Sequence, residues 1–369
     1  MRTHRLLLAL LLAGCGGSST GGPDSGVADL APPIDMALPA LDMTRPPLGT
    51  PINAPAHQWT WVDVPGSSCS EGTPTGIGVN PGDAKHVLVY FEGGGACWDY
   101  STCFVVHFAQ PGPYTAKEFG GGRNDGIFDR TDGQNPFKDW SFVFVPYCTG
   151  DLHGGDNVAT YTSPAGVAMQ YHHTGRKNIE LALSRIAATW PTTDKIVVSG
   201  SSAGGYGSGL NYDLVRTWFP SGEGYLIDDS GPPLKNDNFP PNYLPSFYAQ
   251  WHLGETLDPI CPTCRDDIST LLPTLARLHP QDRMALLSSL QDKTIRTYLL
   301  LGAAGFQTAL LDLAATVIDP LPDFHYFFVT GETHTMLGDP QDFTSQGVGL
   351  RSWLTMEVSD DPKWTSLKP

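Results

Sequence analysis

The sequence predicts an α/β fold, with a mostly parallel central sheet, helices on both faces and an irregular insertion late in the chain. Short apolar runs at 87–91, 141–146, 195–199 and 225–229 read as strands buried on both faces. Segments with helical spacing separate the later runs, as in Ile179, Leu181, Leu183, Ile186 and Ala187 within 178–190. Strands alternating with helices require crossover connections, and those build parallel sheets covered on both sides.

Taken in order, residues 59–64 alternate like a half-exposed strand, and 75–79 pairs with it across a turn. Strands at 87–91 and 141–146 follow, the second leading into a polar loop. After the helix at 178–190 come a strand at 195–199 and a second helix carrying Leu210, Leu214, Val215 and Trp218. A strand at 225–229 precedes residues 231–282, which are rich in Pro and aromatic side chains and hold one helical patch at 271–278. We read that segment as a cap facing the substrate. A strand at 283–289, a helix at 298–317 and a last strand at 323–330 lead to His334.

The chain opens with basic residues and an apolar stretch at 6–12, an export signal too short to span a bilayer. Leu12-Ala13-Gly14-Cys15 resembles a bacterial lipobox, which implies a signal peptide over 1–14, lipid on Cys15 and a membrane anchor outside the cytoplasm. Residues 15–57, rich in Pro, Gly and Ala, read as a disordered tether because they bury too little apolar surface to offset ordering. Residues 58–369 then form one large α/β domain, expected to be a monomer. A formal net charge of −16 and a pI near 4.9 exclude nucleic acid as the main partner. Besides Cys15 there are six cysteines, an even number that favours disulfides in an exported protein. We expect Cys97 with Cys103, Cys261 with Cys264, and Cys69 with Cys148. Cys261-Pro262-Thr263-Cys264 lacks a second half-site for zinc, and neither a metal nor a cofactor is expected.

The chemistry centres on Gly200-Ser201-Ser202-Ala203-Gly204, between a strand and a helix. This layout is a nucleophile elbow, in which a tight turn lifts one hydroxyl above a sheet edge, and it selects Ser202. A serine hydroxyl needs a base in reach and an acid to orient that base, in the chain order Ser, Asp or Glu, His. After Ser202 stand His252, His279, His325 and His334, and only His334 directly follows the last strand. Asp292 follows the strand at 283–289 and fits the order, with Asp228 and Asp229 as rivals. The N–H of Ala203, with Gly94 and Gly95 from the glycine run after 87–91, is expected to form an oxyanion hole.

Phe91-Glu92-Gly93-Gly94-Gly95-Ala96-Cys97, with Cys103, resembles the L-E-G-G-G-W-C segment of the pectin acetylesterase/Notum family and its paired cysteine. Asn135-Pro136-Phe137 through Trp140, then Pro146-Tyr147-Cys148-Thr149-Gly150-Asp151, is similar to that family's N-P…W…Y-C-D/S-G block. Residues 200–205 match its G-S-S-A-G-G identically. The resemblance implies an α/β-hydrolase-like fold and a metal-free triad of Ser202, Asp292 and His334. It also implies removal of O-acyl esters, acetyl from pectin in plants and a fatty acyl group from a secreted signalling protein in animals. The family's Trp or Tyr beside the oxyanion loop is Ala96 here, with Trp98 near, and the cysteine before the histidine in plant members is Thr333.

The expected function is therefore a serine carboxylesterase acting on an O-acylated carbohydrate. One alternative keeps the triad but takes longer acyl chains or a polyester, with Phe239, Tyr243, Phe247, Tyr248 and Trp251 as pocket candidates. The other is a catalytically silent surface-binding lipoprotein.

Overall fold

Parallel strand pairing sets the frame of this molecule, whose computed structural model describes residues 47–369. β1 (Thr60–Asp63) and β2 (Gly76–Asn80) pair antiparallel, and β3 (Asp83–Phe91) runs through the middle of the sheet. A one-turn helix, α1 (Ala116–Phe119), precedes β4 (Trp140–Val145). β5 (Asn157–Thr162) and β6 (Ala168–His173) form a separate hairpin. Next come α2 (Gly175–Thr189), β7 (Lys195–Ser201), α3 (Ala203–Trp218) and β8 (Glu223–Asp229). The insertion holds α4 (Tyr243–Gln250), α5 (Leu253–Leu257) and α6 (Leu271–Leu278). β9 (Arg283–Ser289), α7 (Lys293–Tyr298), α8 (Ala303–Leu313), β10 (Phe324–Val329) and α9 (Leu350–Val358) complete the order.

Among the described residues, eight strands form one sheet in the order β1-β2-β4-β3-β7-β8-β9-β10. Every neighbouring pair from β4 to β10 is parallel, so those strands all end on one edge. The register sets Phe91 opposite Gly200, Ser201 opposite Asp229, and Ser289 opposite Val329. Alternation along each strand feeds two cores. Val87, Val89 and Val198 pack with α2, α3 and the insertion, while Leu88, Phe144 and Val197 pack with Trp353 and Leu354 of α9. These are the two helix-covered faces that the apolar strand runs predicted.

The structure corrects several boundaries. Residues assigned to the end of the tether are packed: Ile52 is buried, its N–H donates to Thr189 Oγ1 at 2.8 Å, and Gly49 N–H donates to the Ser184 carbonyl at 3.0 Å. The domain thus starts before residue 58, because one buried isoleucine suffices to dock the segment on α2. The signal peptide, Cys15 and most of the tether lie outside the described residues. The polar loop after β4 contains the β5–β6 hairpin, whose alternation is blurred by an exposed Val158 and by a buried Ala159 too small to mark the inner face. The helix expected over 298–317 is broken at Leu299–Gly302, where Leu300 adopts φ 55° and Gly302 caps α8. The insertion is more helical than its Pro content suggested, and its prolines sit early in short helices or between them. No described helix is long and apolar enough to cross a membrane.

The described residues form disulfides between Cys69 and Cys148, Cys97 and Cys103, and Cys261 and Cys264. The first closes 79 residues of sequence and the last only three. Loop-closure entropy then gives about 4.5 kcal/mol for the first and about 1.6 kcal/mol for the last. Replacing Cys69 and Cys148 together by Ser is expected to lower the unfolding free energy about three times as much as replacing Cys261 and Cys264, as measured by guanidinium denaturation. Equal losses would contradict this ranking.

Candidate active site

Ser202 occupies the turn from β7 into α3 with φ 61° and ψ −121°, a conformation that costs a non-glycine residue about 1–3 kcal/mol. Two glycines make room for that turn. A side chain on Gly200 would strike the Gly204 carbonyl, and one on Gly204 would strike the Phe91 carbonyl. The Ser202 N–H donates to the Asp229 carbonyl at 2.7 Å, while its hydroxyl caps nothing in α3. Ala203 opens that helix, so its N–H has no acceptor within the helix. Both residues line one mostly apolar pocket.

The loops after β9 and β10 are zipped together on the same sheet edge. Gln291 N–H donates to the Gly331 carbonyl at 3.0 Å and Lys293 N–H to the Glu332 carbonyl at 3.1 Å. Asp292 between them is fully buried and serves as the N-cap of α7. Its Oδ1 accepts the N–H groups of Thr294 and Ile295, both at 2.9 Å, and its Oδ2 lies 2.8 Å from His334 Nδ1. An Nδ1–H donated to that carboxylate leaves Nε2 as a free acceptor. The His334 side chain is 21% exposed, enough to meet a substrate.

The rival carboxylates have other partners. Asp228 Oδ1 accepts the Gly231 N–H at 2.7 Å. The Asp229 carboxylate accepts Ser201 Oγ–H at 2.7 Å, Met336 N–H at 2.9 Å and Leu337 N–H at 3.0 Å. Of the other histidines, His279 is bonded to Asp213 at 2.9 Å, His252 lies 3.2 Å from Glu255, and His325 packs edge-on against Trp364.

The glycine loop after β3 is pinned by its carbonyls. Gly94 C=O accepts Gln110 N–H and Gly95 C=O accepts Tyr147 Oη–H, each at 2.7 Å. In a trans peptide the carbonyl and the next N–H point opposite ways, so these bonds turn the N–H groups of Gly95 and Ala96 away from their anchors. Gly95 and Ala96 line the pocket together with Ser202 and Ala203. Gly94, expected to border that site, instead lines a separate groove with residues 107–113. Gly95 itself has φ 80°, and a side chain there would meet the Phe108 carbonyl.

The motif block at 146–151 braces this loop from behind. Tyr147 N–H donates to Glu92 Oε2 at 3.1 Å, His153 Nε2 bonds the Glu92 carbonyl at 2.8 Å, and Cys97 N–H donates to the Gly150 carbonyl at 2.9 Å. Asp151 accepts N–H groups from His153, Gly155 and Gly175 and the Thr149 hydroxyl, at 2.7–3.2 Å. Burial pushes its carboxyl up to about 6, while the same cause lowers His153 to about 4 and His173 to about 3. Sequence reasoning passed over Tyr147 and His153 as site residues, although Tyr147 stands in the recognisable block, and weighed Asp229 only as a rival for the acid.

From the insertion, Phe239, Tyr243 and Phe247 reach the pocket, joined by Trp98 and Tyr298. The other two aromatic candidates pack elsewhere: Trp251 stacks on Phe247 with centroids 4.0 Å apart, and Tyr248 lies under Arg265 at 4.3 Å. Among the described residues, one group of possible metal ligands stands together, Cys97, Cys103 and His173. Its sulfurs are joined in a disulfide, and both His173 nitrogens are engaged, by Thr149 O and Tyr161 Oη at 2.9 Å. That set does not suit a metal.

The sequence profile of the pectinacetylesterase family matches residues 55–266, more than half of the chain. The chain belongs to the pectinacetylesterase family. That match includes the glycine loop and the elbow and ends before Asp292 and His334. The chain is also similar to the palmitoleoyl-protein carboxylesterase notum1' of Xenopus laevis, 26% identical over 181 residues. The mouse protein NOTUM, of the same description, is likewise 26% identical over 181 residues. Each match takes in 47% of this chain and 35–36% of the relative, so the chain spans about a third of the length of those curated relatives. The crystal structure of the Wnt deacylase Notum from Drosophila superposes with a TM-score of 0.65 at 18% identity, covering 84% of this chain and 95% of that one. This pectinacetylesterase-family chain therefore shares the α/β-hydrolase-like fold of Notum.

The buried histidines behind the glycine loop make stability depend on pH. Unfolded histidine takes a proton near 6.5, whereas folded His153 and His173 resist until about 4 and about 3. At these two histidines the unfolded chain thus binds more protons in that window, and their contribution to stability falls as pH drops from 6.5 toward 4. Burial-raised carboxyls at Asp151, Glu92, Asp228, Asp229 and Glu357 act in the opposite direction, so the histidine contribution is read as a difference between variant and parent. Between pH 7 and pH 4.5 the urea midpoint of His153→Gln is expected to fall less, or rise more, than that of the parent, and identical pH profiles would contradict a neutral buried His153.

Proposed function

We propose that this protein is an exported serine carboxylesterase that hydrolyses O-acyl esters at Ser202. One observation carries the reading: a strained serine at the mouth of an apolar pocket shares its sheet edge with a buried carboxylate–histidine pair. Ser202 Oγ attacks the ester carbonyl carbon, and His334 Nε2 takes its proton. Asp292 Oδ2 holds the Nδ1–H and stabilises the imidazolium. The tetrahedral oxyanion is met by the N–H groups of Ala203, Gly95 and Ala96. Collapse breaks the C–O bond, the imidazolium protonates the leaving alcohol, and water activated by the same base frees the acid from the acyl-enzyme. The alcohol is a hydroxyl of an O-acylated carbohydrate, in keeping with the family to which the chain belongs. Three disulfides support a site of action outside the cytoplasm, to which lipid on Cys15 would tether the enzyme.

A second reading concerns the acyl group. Trp98, Phe239, Tyr243, Phe247 and Tyr298 wall the pocket, and such walls favour an acyl chain longer than acetyl. Each buried methylene is worth about 0.8 kcal/mol, or about fourfold in kcat/KM. In a series of p-nitrophenyl esters, kcat/KM is expected to climb from acetate to hexanoate by that increment, whereas a maximum at acetate would support the acetylesterase reading. Ser202→Ala is expected to lower kcat at least about 10³-fold and Asp292→Asn about 10²- to 10⁴-fold. Full activity in Ser202→Ala would overturn the assignment. No turnover by the parent protein, with no labelling of Ser202 by an alkylphosphonate, would favour the silent surface-binding alternative.

A further inference from the structure

Asp229 was a rival for the triad acid, and the mechanism above leaves it unused. It is nonetheless fully buried at the end of β8, directly opposite Ser201 of the elbow strand. Its backbone carbonyl takes the Ser202 N–H at 2.7 Å. Its Oδ2 takes Ser201 Oγ–H at 2.7 Å, and Ser201 Oγ in turn accepts Tyr90 Oη–H at 2.9 Å. From the other side Met336 N–H reaches Oδ1 at 3.0 Å and Oδ2 at 2.9 Å, and Leu337 N–H reaches Oδ2 at 3.0 Å. One residue thus bonds both the segment that carries Ser202 and the segment that carries His334.

Backbone strain collects around the same residue. Ser202, Ser230 and Thr335 adopt φ of 61°, 66° and 68°, a region that non-glycine residues avoid and that is hardest for a β-branched Thr. Ser202 and Ser230 flank Asp229 across the β7–β8 ladder and along the chain, and Thr335 precedes the first amide that Asp229 holds. Such conformations persist only where surrounding bonds over-determine them.

We propose that Asp229 is a positioning residue for catalysis, a buried carboxylate that clamps the His334 loop against the nucleophile elbow and sets the geometry between base and serine. The proposal rests on Ser202 and His334 being the catalytic pair. The Asp229 carboxylate and a protonated His334 imidazole also attract each other, while Asp292 contacts the ring directly on Nδ1. The other titratable groups around these two are Asp228 and Tyr90 beside Asp229, and Glu332, paired with Arg296 at 2.8 Å, on the histidine loop. Asp229→Asn removes the charge and turns an N–H₂ toward amide donors. Ser201→Ala removes only the elbow-side hydroxyl bond and leaves the charge in place.

The test is steady-state kinetics of the full chain and both variants on p-nitrophenyl butyrate from pH 5 to 9, with thermal unfolding alongside. For Asp229→Asn, kcat is expected to fall about 10²-fold with KM within about threefold, since misplacement affects the transition state more than substrate binding. The low-pH limb of its rate profile is expected to move to lower pH, because one of two carboxylates attracting the protonated base is gone. Ser201→Ala is expected to lose about three- to tenfold in kcat with that limb in place, and it decides the matter should Asp229→Asn fail to fold. A lowered melting temperature with parental kcat and parental limb in either folded variant would overturn the proposal and leave Asp229 a purely structural residue. Full activity in His334→Ala or Ser202→Ala would instead overturn the catalytic reading beneath it.

Discussion

The whole site hangs on one close backbone contact, where the Phe91 carbonyl lies against Gly204 and Gly200. No side chain fits between the end of β3 and the start of α3, so these elements approach as only glycine allows. That approach lets the loop after β3 run beside the elbow, with Gly95 and Ala96 bordering the same pocket as Ser202 and Ala203. A wider spacing would separate the amides from the hydroxyl, and neither alone could handle an acyl ester. The parallel register extends this contact along the edge, since Phe91, Ser201, Asp229, Ser289 and Val329 all end their strands on one side.

Buried carboxylates tie the loops above that edge. An unpaired charge in the interior costs several kcal/mol, so each must collect donors, and the nearest donors are loop amides. Asp151 joins the turn after β4 to the start of α2 through Gly175 N–H. Asp229 joins β7 to the histidine loop. Asp292 caps α7 with one oxygen and holds His334 with the other. Each acid fixes two segments far apart in sequence, which keeps irregular chain in one arrangement without regular secondary structure. Helix capping at Asp292 also fixes the orientation of the carboxylate, turning its second oxygen toward His334.

How much of this was legible depended on the range of the interactions involved. Strands β3, β4 and β7 to β10 announced themselves because parallel strands buried on both faces must be continuously apolar, as in Val87, Leu88 and Val89 or Ile196, Val197 and Val198. The β5–β6 hairpin stayed hidden because its exposed positions carry Val158, Thr160 and Thr162 and its ladder lies outside the main sheet. Helix α9 was not anticipated, although Leu350, Trp353 and Leu354 carry helical spacing. The break before α8 arises from Leu300 in a left-handed conformation, which leucine gives no reason to expect. At the site, Ser202, Asp292 and His334 could be nominated from motif and chain order. The replacement of Gly94 by Ala96 at the pocket could not, because it depends on which carbonyls Gln110 and Tyr147 hold.

The sequence by itself determined the fold class, the elbow, the order of the chemical groups and the cysteines available for pairing. Those features follow from local pattern: apolar period, glycine at fixed offsets and residue type after each strand. Tertiary structure alone decided which carboxylate faces His334, which amides border the pocket, and which insertion aromatics reach Ser202. Each of those choices turns on hydrogen bonds and packing between residues separated by tens to hundreds of positions. The same distance hid the bonds of Asp229, a residue that the sequence offered only as a rival acid and that the fold makes the meeting point of elbow and histidine loop.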